Sequence, residues 1–376
     1  MMRSRWYHEV GSLVNPFTVT RIMLYYFHIS VAEGEMTSIL KRIARHSSSP
    51  QPLTSVPSEP KPQAPMRFGY QNPSFQWPDR APYEIFEHTR AKAQQVEELG
   101  FHSFWVMDHL IQIPGIGAPD EPFLEGWTTL AALAPLTRRL RLGILVTCIG
   151  YRNPALLAKM AAGIDIISRG RLIMGLGAGW FEEEYKQYGY DFPAPATRIR
   201  QLAEGIQIIK AMWTTSRATF EGRFFQVKDA ILEPKPVQKP HPPILVGGSG
   251  EQLTLRVVAR YADAANLFGA PPTIAHKLDV LRSHCEKVGR DFNEIEITKT
   301  DSIILARTRG QVQDKLRRVG WADRPYKGIS GTPEECIEQV RAFQALGVTH
   351  LIVNVPGNDE ESLALFAREV MPVFTA

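Results

Sequence analysis

From Met66 onward the chain alternates short apolar runs with longer segments whose apolar positions recur at helical spacing. These are the periods of buried strands and amphipathic helices. The runs predict strands at Arg67–Tyr70, Ser103–Met107, Arg141–Thr147, Arg171–Leu176, Ile244–Gly247, Ala264–Phe268, Ile295–Leu305 and Leu351–Val355. The periodic segments predict helices at Glu84–Leu99, Trp127–Leu136, Pro154–Ile167, Arg198–Trp213, Glu251–Tyr261, Ile274–Val288, Pro333–Leu346 and Glu360–Val370. Gly100, Gly289 and Gly347 stand just past helices, where a left-handed cap suits glycine. Within Leu140–Gly179, strand, helix and strand follow one another as a β-α-β unit, which closes a parallel pair. Eight strands alternating with helices over about 310 residues predict a (β/α)8 TIM barrel. A doubly wound open sheet is the rival fold, and strand count and length favour the barrel. Arg217–Pro243 breaks the alternation: Thr219–Phe225 reads as a short hairpin with a Pro-rich loop behind it. It is expected as an insertion between the fourth and fifth units, over the site.

Two domains are expected: an extension over 1–65, disordered or weakly helical, and a barrel over 66–376. Ser47–Pro65 is rich in Pro and Ser and reads as an extended linker. Residues 1–65 hold seven Lys/Arg against four Asp/Glu, +3 of the chain's total of +4. The remainder is near neutral, with no basic stripe to track a nucleic-acid backbone. Phe17–Ala32 is interrupted by Arg21 and His28 and falls short of a membrane span. Three widely spaced cysteines, Cys148, Cys285 and Cys336, argue against a disulfide scaffold and fit a reducing cytoplasm. The expected partner is a small-molecule substrate, without nucleic acid or membrane.

In parallel α/β folds ligands bind at the carboxyl ends of strands. The second strand ends in Asp108-His109. His109 can exchange a proton near neutral pH, with Asp108 orienting it or accepting from a ligand; a capping Asp and a loop His is the plain structural alternative. The chain has no His-x-His or His-x-x-x-His cluster, so no metal site is expected. Gly175–Gly179 departs from the dinucleotide fingerprint, since Trp180 stands where glycine is needed. Its glycines still allow close approach to a flat ligand, with Trp180 against it. Glu182, Glu183 and Glu184 open a helix, where two of them at least suit the dipole. Gly247-Gly248-Ser249-Gly250 lies between a strand and a helix and reads as a phosphate-binding turn. Trp77, Phe123 and Trp127 fall near the same rim and are candidates for an apolar substrate pocket, or for ordinary packing.

Taken together, Trp105–Leu110, Trp127–Pro135, Leu142–Lys159, Gly170–Tyr188, Pro234–Gly248 and Tyr261–Asn266 resemble the luciferase-like flavin and deazaflavin oxidoreductases. The resemblance covers nearly all of 66–376 and none of 1–65. It implies a β/α barrel with an insertion, often paired as a homodimer. The Asp-His pair is similar to that of the branch using coenzyme F420, an 8-hydroxy-5-deazaflavin. This implies His109 as proton donor or acceptor beside the reactive ring carbon and Asp108 on the cofactor. The resemblance further places Thr147, Cys148 and Ile149 at a bulge behind the ring, with a cis peptide at Cys148-Ile149. Gly177, Gly179, Trp180 and Glu183 would lie along the cofactor, and Gly247, Gly248 and Ser249 at its phosphate. Sugar-phosphate dehydrogenases of this family carry an acidic residue in place of Trp180 and Asn in place of Glu183, which implies a less polar substrate here. The expected function is hydride transfer between F420 and a small organic substrate. An FMN-dependent monooxygenase and a non-catalytic flavin-binding barrel are the alternatives, and a metal-dependent hydrolase barrel is disfavoured by the missing histidine cluster.

Overall fold

The structure is a computed structural model that describes residues 64–76, 81–321 and 326–375. The expected extension lies outside the described residues apart from Ala64 and Pro65, and so does Trp77. In chain order the strands are β1 (Arg67–Asn72), β2 (Ser103–Val106), β3 (Arg141–Ile144), β4 (Thr147–Cys148), β5 (Leu172–Gly177), β6 (Ala218–Glu221), β7 (Gln226–Ala230), β8 (Ile244–Gly247), β9 (Ala264–Leu267), β10 (Glu296–Leu305), β11 (Ile329–Gly331) and β12 (His350–Asn354). Eight of them close a parallel barrel in the order β1-β2-β3-β5-β8-β9-β10-β12 and back to β1. The ring closes through Phe68 opposite Leu351 and Ala265 opposite Ile297.

The helices are α1 (Ile85–Glu98), α2 (Gly126–Leu133), α3 (Pro154–Ile167), α4 (Glu182–Gln187), α5 (Pro195–Thr214), α6 (Thr254–Tyr261), α7 (Pro271–Val288), α8 (Arg309–Arg318), α9 (Pro333–Ala345) and α10 (Glu360–Leu365). Local chemistry sets their ends. Asn153 accepts from Ala155 N at 2.9 Å ahead of Pro154, an N-cap followed by a proline whose missing N–H costs nothing there. Gly289 closes α7 at φ 66°, a left-handed value that glycine takes without strain.

Alternation along each strand divides the core. Trp105, Leu145, Ile173, Leu245 and Ile352 fill the barrel, while Phe68, Phe104, Leu142 and Leu176 face the helices. The carboxyl ends of the strands are left to line a cavity.

Two elements depart from expectation. Helix α8 buries only Val312, Lys315 and Leu316, so its apolar stripe is too thin to show in the periodicity. Its signal is instead the capping box, Thr308 with Gln311. Strand β11 pairs outside the ring with the far end of β10, Ile303 opposite Ile329. The hairpin β6–β7 does lie between the fourth and fifth barrel strands. It is not over the site, however. Glu204 of α5 accepts from the N–H groups of Arg223, Phe224 and Phe225 at 2.9–3.1 Å and fixes the hairpin to the flank of that helix. No residue of Arg217–Pro243 lines the cavity.

Candidate active site

A cavity of about 470 Å³ opens at the carboxyl ends of the barrel strands. One wall is built by a break in strand three. After β3 the peptide between Leu145 and Val146 is cis, and β4 then pairs with β5, Thr147 opposite Leu176 and Cys148 opposite Gly177. The cis bond was expected at Cys148-Ile149. Pairing keeps Thr147 and Cys148 extended, so the break falls before them. Val146 projects onto the wall between two glycines. A Cβ on Gly177 would stand 2.5 Å from its Cγ2, and one on Gly247 2.7 Å from its Cγ1. Glycine at both positions therefore leaves a shallow apolar surface of Val146 and bare backbone.

Asp108 and His109 follow β2 and both line the cavity. Asp108 is buried; its Oδ2 accepts from Arg152 Nη1 at 2.8 Å and Cys148 N at 2.9 Å, while its Oδ1 has no partner. Burial pushes its carboxyl up to about 6, against the pull of the Arg152 guanidinium. Arg152 reaches on to Glu125 Oε1 at 2.5 Å, and Glu125 caps α2 through Trp127 N and Thr128 N.

His109 is held from behind. Its Nδ1 lies 2.9 Å from Oε2 of Glu184, a wholly buried carboxylate on α4. Glu184 also accepts from the N–H groups of Leu110 and Ile111 and from the Tyr151 hydroxyl. Burial alone would raise the Glu184 carboxyl; hydrogen bonds from His109, Tyr151 and Leu110 outweigh it and hold it below the usual range. An ionised carboxylate at Nδ1 makes that nitrogen the donor and leaves Nε2 for the cavity. Glu184→Gln keeps the volume but turns an amide N–H toward one of these donors. It is expected to cost roughly 1–3 kcal/mol of stability in urea titration, and to slow turnover by loosening the imidazole. Because the folded group titrates low, its contribution is present at neutral pH and fades as pH falls below the usual carboxyl range.

The structure brings together Asp108, His109, Cys148, Gly177, Gly179, Trp180, Gly247 and Gly248 on one cavity. Five other candidates lie elsewhere, and Ser249 only adjoins the site. Ile149 is buried in the helix layer against Gly205 of α5. Thr147 is buried and absent from the lining, its hydroxyl without a partner. Glu183 is exposed and accepts from Gln187 at 3.1 Å; Glu184 beside it is the one that turns inward. Trp127 is buried in the core, and Phe123 packs edge-on to Phe75 at 5.1 Å. Neither lines the cavity. Ser249 lies next to the lining glycines, and its carbonyl accepts from Lys277 Nζ at 2.8 Å. Helix α6 begins at Thr254, later than expected, and Thr254 itself lines the cavity.

Sequence reasoning also missed Tyr151, Arg198 and Asn266, which line the site from the turn after β4, from α5 and from β9. Asn266 is held by Thr298 and Thr300 at 2.9 and 3.1 Å. Among the described residues no cluster of His, Cys, Asp and Glu could hold a metal ion, and no helix is long and apolar enough to cross a membrane.

Comparison with known proteins bears on this geometry. The F420-dependent glucose-6-phosphate dehydrogenase of Microbacterium testaceum (strain StLB037) is 27% identical over 340 residues, covering 82% of this chain and 97% of that protein. A phthiodiolone/phenolphthiodiolone dimycocerosates ketoreductase of Mycobacterium tuberculosis (strain ATCC 25618 / H37Rv) is 33% identical over 240 residues, 59% of this chain and 62% of that one. Among solved structures, an F420-dependent secondary alcohol dehydrogenase in complex with an F420-acetone adduct shares the fold. Its TM-score is 0.69 at 21% identity, over 82% of this chain and 99% of that one. Residues 66–329 match the family model for luciferase-like monooxygenase. That match runs from the start of β1 to β11 and takes in every residue of the cavity, and the chain belongs to this family.

Proposed function

We propose that the chain is an oxidoreductase dependent on coenzyme F420, with His109 moving the proton that accompanies hydride transfer. The observation that carries the reading is His109 on the cavity wall, its Nδ1 fixed by buried Glu184 and its other nitrogen free for a reacting atom. The dehydrogenase and alcohol dehydrogenase among the relatives are both named as F420-dependent.

The residues present fit a flat heteroaromatic group. Val146, Gly177 and Gly247 offer a shallow apolar wall. The orphaned Asp108 Oδ1 is a buried acceptor that a ring N–H would satisfy. Gly248 and Ser249 would hold the phosphate-bearing tail. When bound, the deazaflavin supplies a ring carbon that gives or takes a hydride, and it lacks the ring nitrogen that efficient oxygen chemistry needs. The protein's own part is to orient and to manage one proton. Asp108 and the glycine wall set the position of the ring. Leu145, Val146 and Ile113 exclude water. His109 Nε2 gives a proton to an oxygen being reduced, or takes one from a hydroxyl being oxidised.

Cofactor fluorescence tests the reading. Oxidised F420 is expected to bind at micromolar concentration or tighter, and FMN more weakly. Preference for FMN, with oxygen uptake when reduced FMN and substrate are supplied, would move the protein to the oxygen-using members of the family.

A further inference from the structure

Tyr151 and Arg152 are consecutive, and each sends its side chain back to one of the two carboxylates behind the site. Arg152 pairs with Asp108, and the Tyr151 hydroxyl donates to Oε2 of Glu184. That oxygen is the one His109 Nδ1 faces at 2.9 Å, whereas Oε1 is taken by the N–H groups of Leu110 and Ile111. A carboxylate oxygen has two lone pairs, so Tyr151 and His109 between them fill Oε2. The Glu184 side chain is wholly buried, so bulk water does not compete for it. Burial and the bond to Glu184 push the Tyr151 hydroxyl up from its usual range, which keeps it a donor. Packing does not require that hydroxyl. The Tyr151 ring lies 4.9 Å from that of Tyr185 and 5.1 Å from that of Tyr190, contacts that phenylalanine would keep. The other ionisable groups around the pair are engaged elsewhere. Cys148 Sγ lies 2.7 Å from the Tyr185 hydroxyl, Asp108 is held by Arg152, the Tyr188 hydroxyl donates to Leu110 O at 3.2 Å, and Arg198 Nε donates to Gly179 O at 3.2 Å. The Trp180 and Phe181 rings, 5.9 and 6.2 Å from the imidazole, carry no charge.

We infer that Tyr151 is a positioning residue for the proton step: by filling the second lone pair of Glu184 Oε2 it weakens the carboxylate's hold on the Nδ1–H of His109, so that the imidazole can shed its Nε2 proton as well as take one. The donor draws charge from the carboxylate and turns the positive end of its own O–H dipole toward the imidazole, and both effects disfavour the imidazolium. Left alone with Glu184 in a buried site, His109 would be held more firmly in its charged form. The part played in hydride transfer rests on the F420 reading; the hold on His109 does not.

The test is an NMR titration of the coenzyme-free protein with labelled histidine, the His109 signal being identified by its loss in His109→Gln. Tyr151→Phe is expected to raise the His109 midpoint by about half to one pH unit, a three- to tenfold change in its ionisation constant. 3-Fluorotyrosine at position 151, a stronger donor, is expected to lower it. Tyr185→Phe removes a hydroxyl from the same aromatic cluster but not from Glu184, and is expected to leave the midpoint in place. An unmoved or lowered midpoint in Tyr151→Phe would overturn the inference, and so would an equal rise in Tyr185→Phe. If Tyr151→Phe does not fold, the fluorotyrosine protein decides alone, and a midpoint that fails to fall overturns the inference. With F420 and substrate present, the pH profile of hydride transfer should move with the NMR midpoint. A midpoint that moves as expected in a protein that ignores F420 would sink the cofactor reading and leave the coupling of Tyr151 to His109 standing.

Discussion

Alanine in place of His109 is expected to lower turnover by about 10²- to 10⁴-fold, the usual range for losing a positioned general acid or base. F420 affinity should change by no more than about threefold. The separation follows from the geometry. His109 reaches the cavity from a loop after β2, and its Nδ1 is engaged by Glu184, so its remaining nitrogen has no structural duty. The cofactor's expected contacts lie elsewhere, at Asp108 and on the wall of Val146, Gly177 and Gly247. Removing the imidazole should leave those contacts standing while the proton is left without a carrier. Stopped-flow measurement of hydride transfer, paired with fluorescence titration of the coenzyme, separates the two quantities. Equal losses in both would show that His109 holds the ring and would end its assignment as proton carrier. Glu184→Gln serves as the companion. It should lie between wild type and His109→Ala in rate, because the imidazole is present and only its orientation is lost.

Most of the barrel was legible because each strand is a separate apolar run and each helix a separate stripe, and the two periods do not overlap. All eight barrel strands begin at the residue where their run begins or one residue from it, as Ile244–Gly247 and Ser103–Val106 show. Legibility failed where burial is thin, as at α8, or where pairing lies outside the ring, as at β11. The site divides the same way. Asp108 and His109 were readable because a strand end fixes which residues reach the cavity. The three glutamates of α4 were not. Consecutive helical residues point about 100° apart, so one of Glu182, Glu183 and Glu184 must face inward, yet six residues are too few for the pattern to show which. Trp127 failed for a related reason. It sits in the first turn of α2, close in sequence to the rim, but its ring turns into the core. Arg152 was legible as part of a matching stretch and not as a partner of Asp108, since 44 residues separate them and only the fold brings them together.

That pair carries the largest expected effect on stability. Arg152→Met keeps much of the side-chain stem and removes the charge, leaving Asp108 buried with one hydrogen bond, from Cys148 N. Breaking one side of a buried ion pair costs roughly 3–5 kcal/mol, and that loss is expected at pH 8. It should not be constant with pH. Asp108 titrates at about 6 in the folded protein, above the ordinary 3.8, because burial outweighs the attraction of Arg152. A carboxyl raised on folding binds more protons in the native state, so its contribution is fully present below the unfolded value and is lost as pH rises through the folded one. Without Arg152 the folded value rises further, since the guanidinium lowers it. The difference between wild type and variant therefore opens above pH 6 and narrows toward pH 5, where both proteins hold Asp108 protonated. Urea titrations of the two proteins at pH 8 and pH 5 measure this directly. A penalty of the same size at both values would mean that Arg152 stabilises the protein through Glu125 and packing, with the buried carboxylate of Asp108 satisfied by other means.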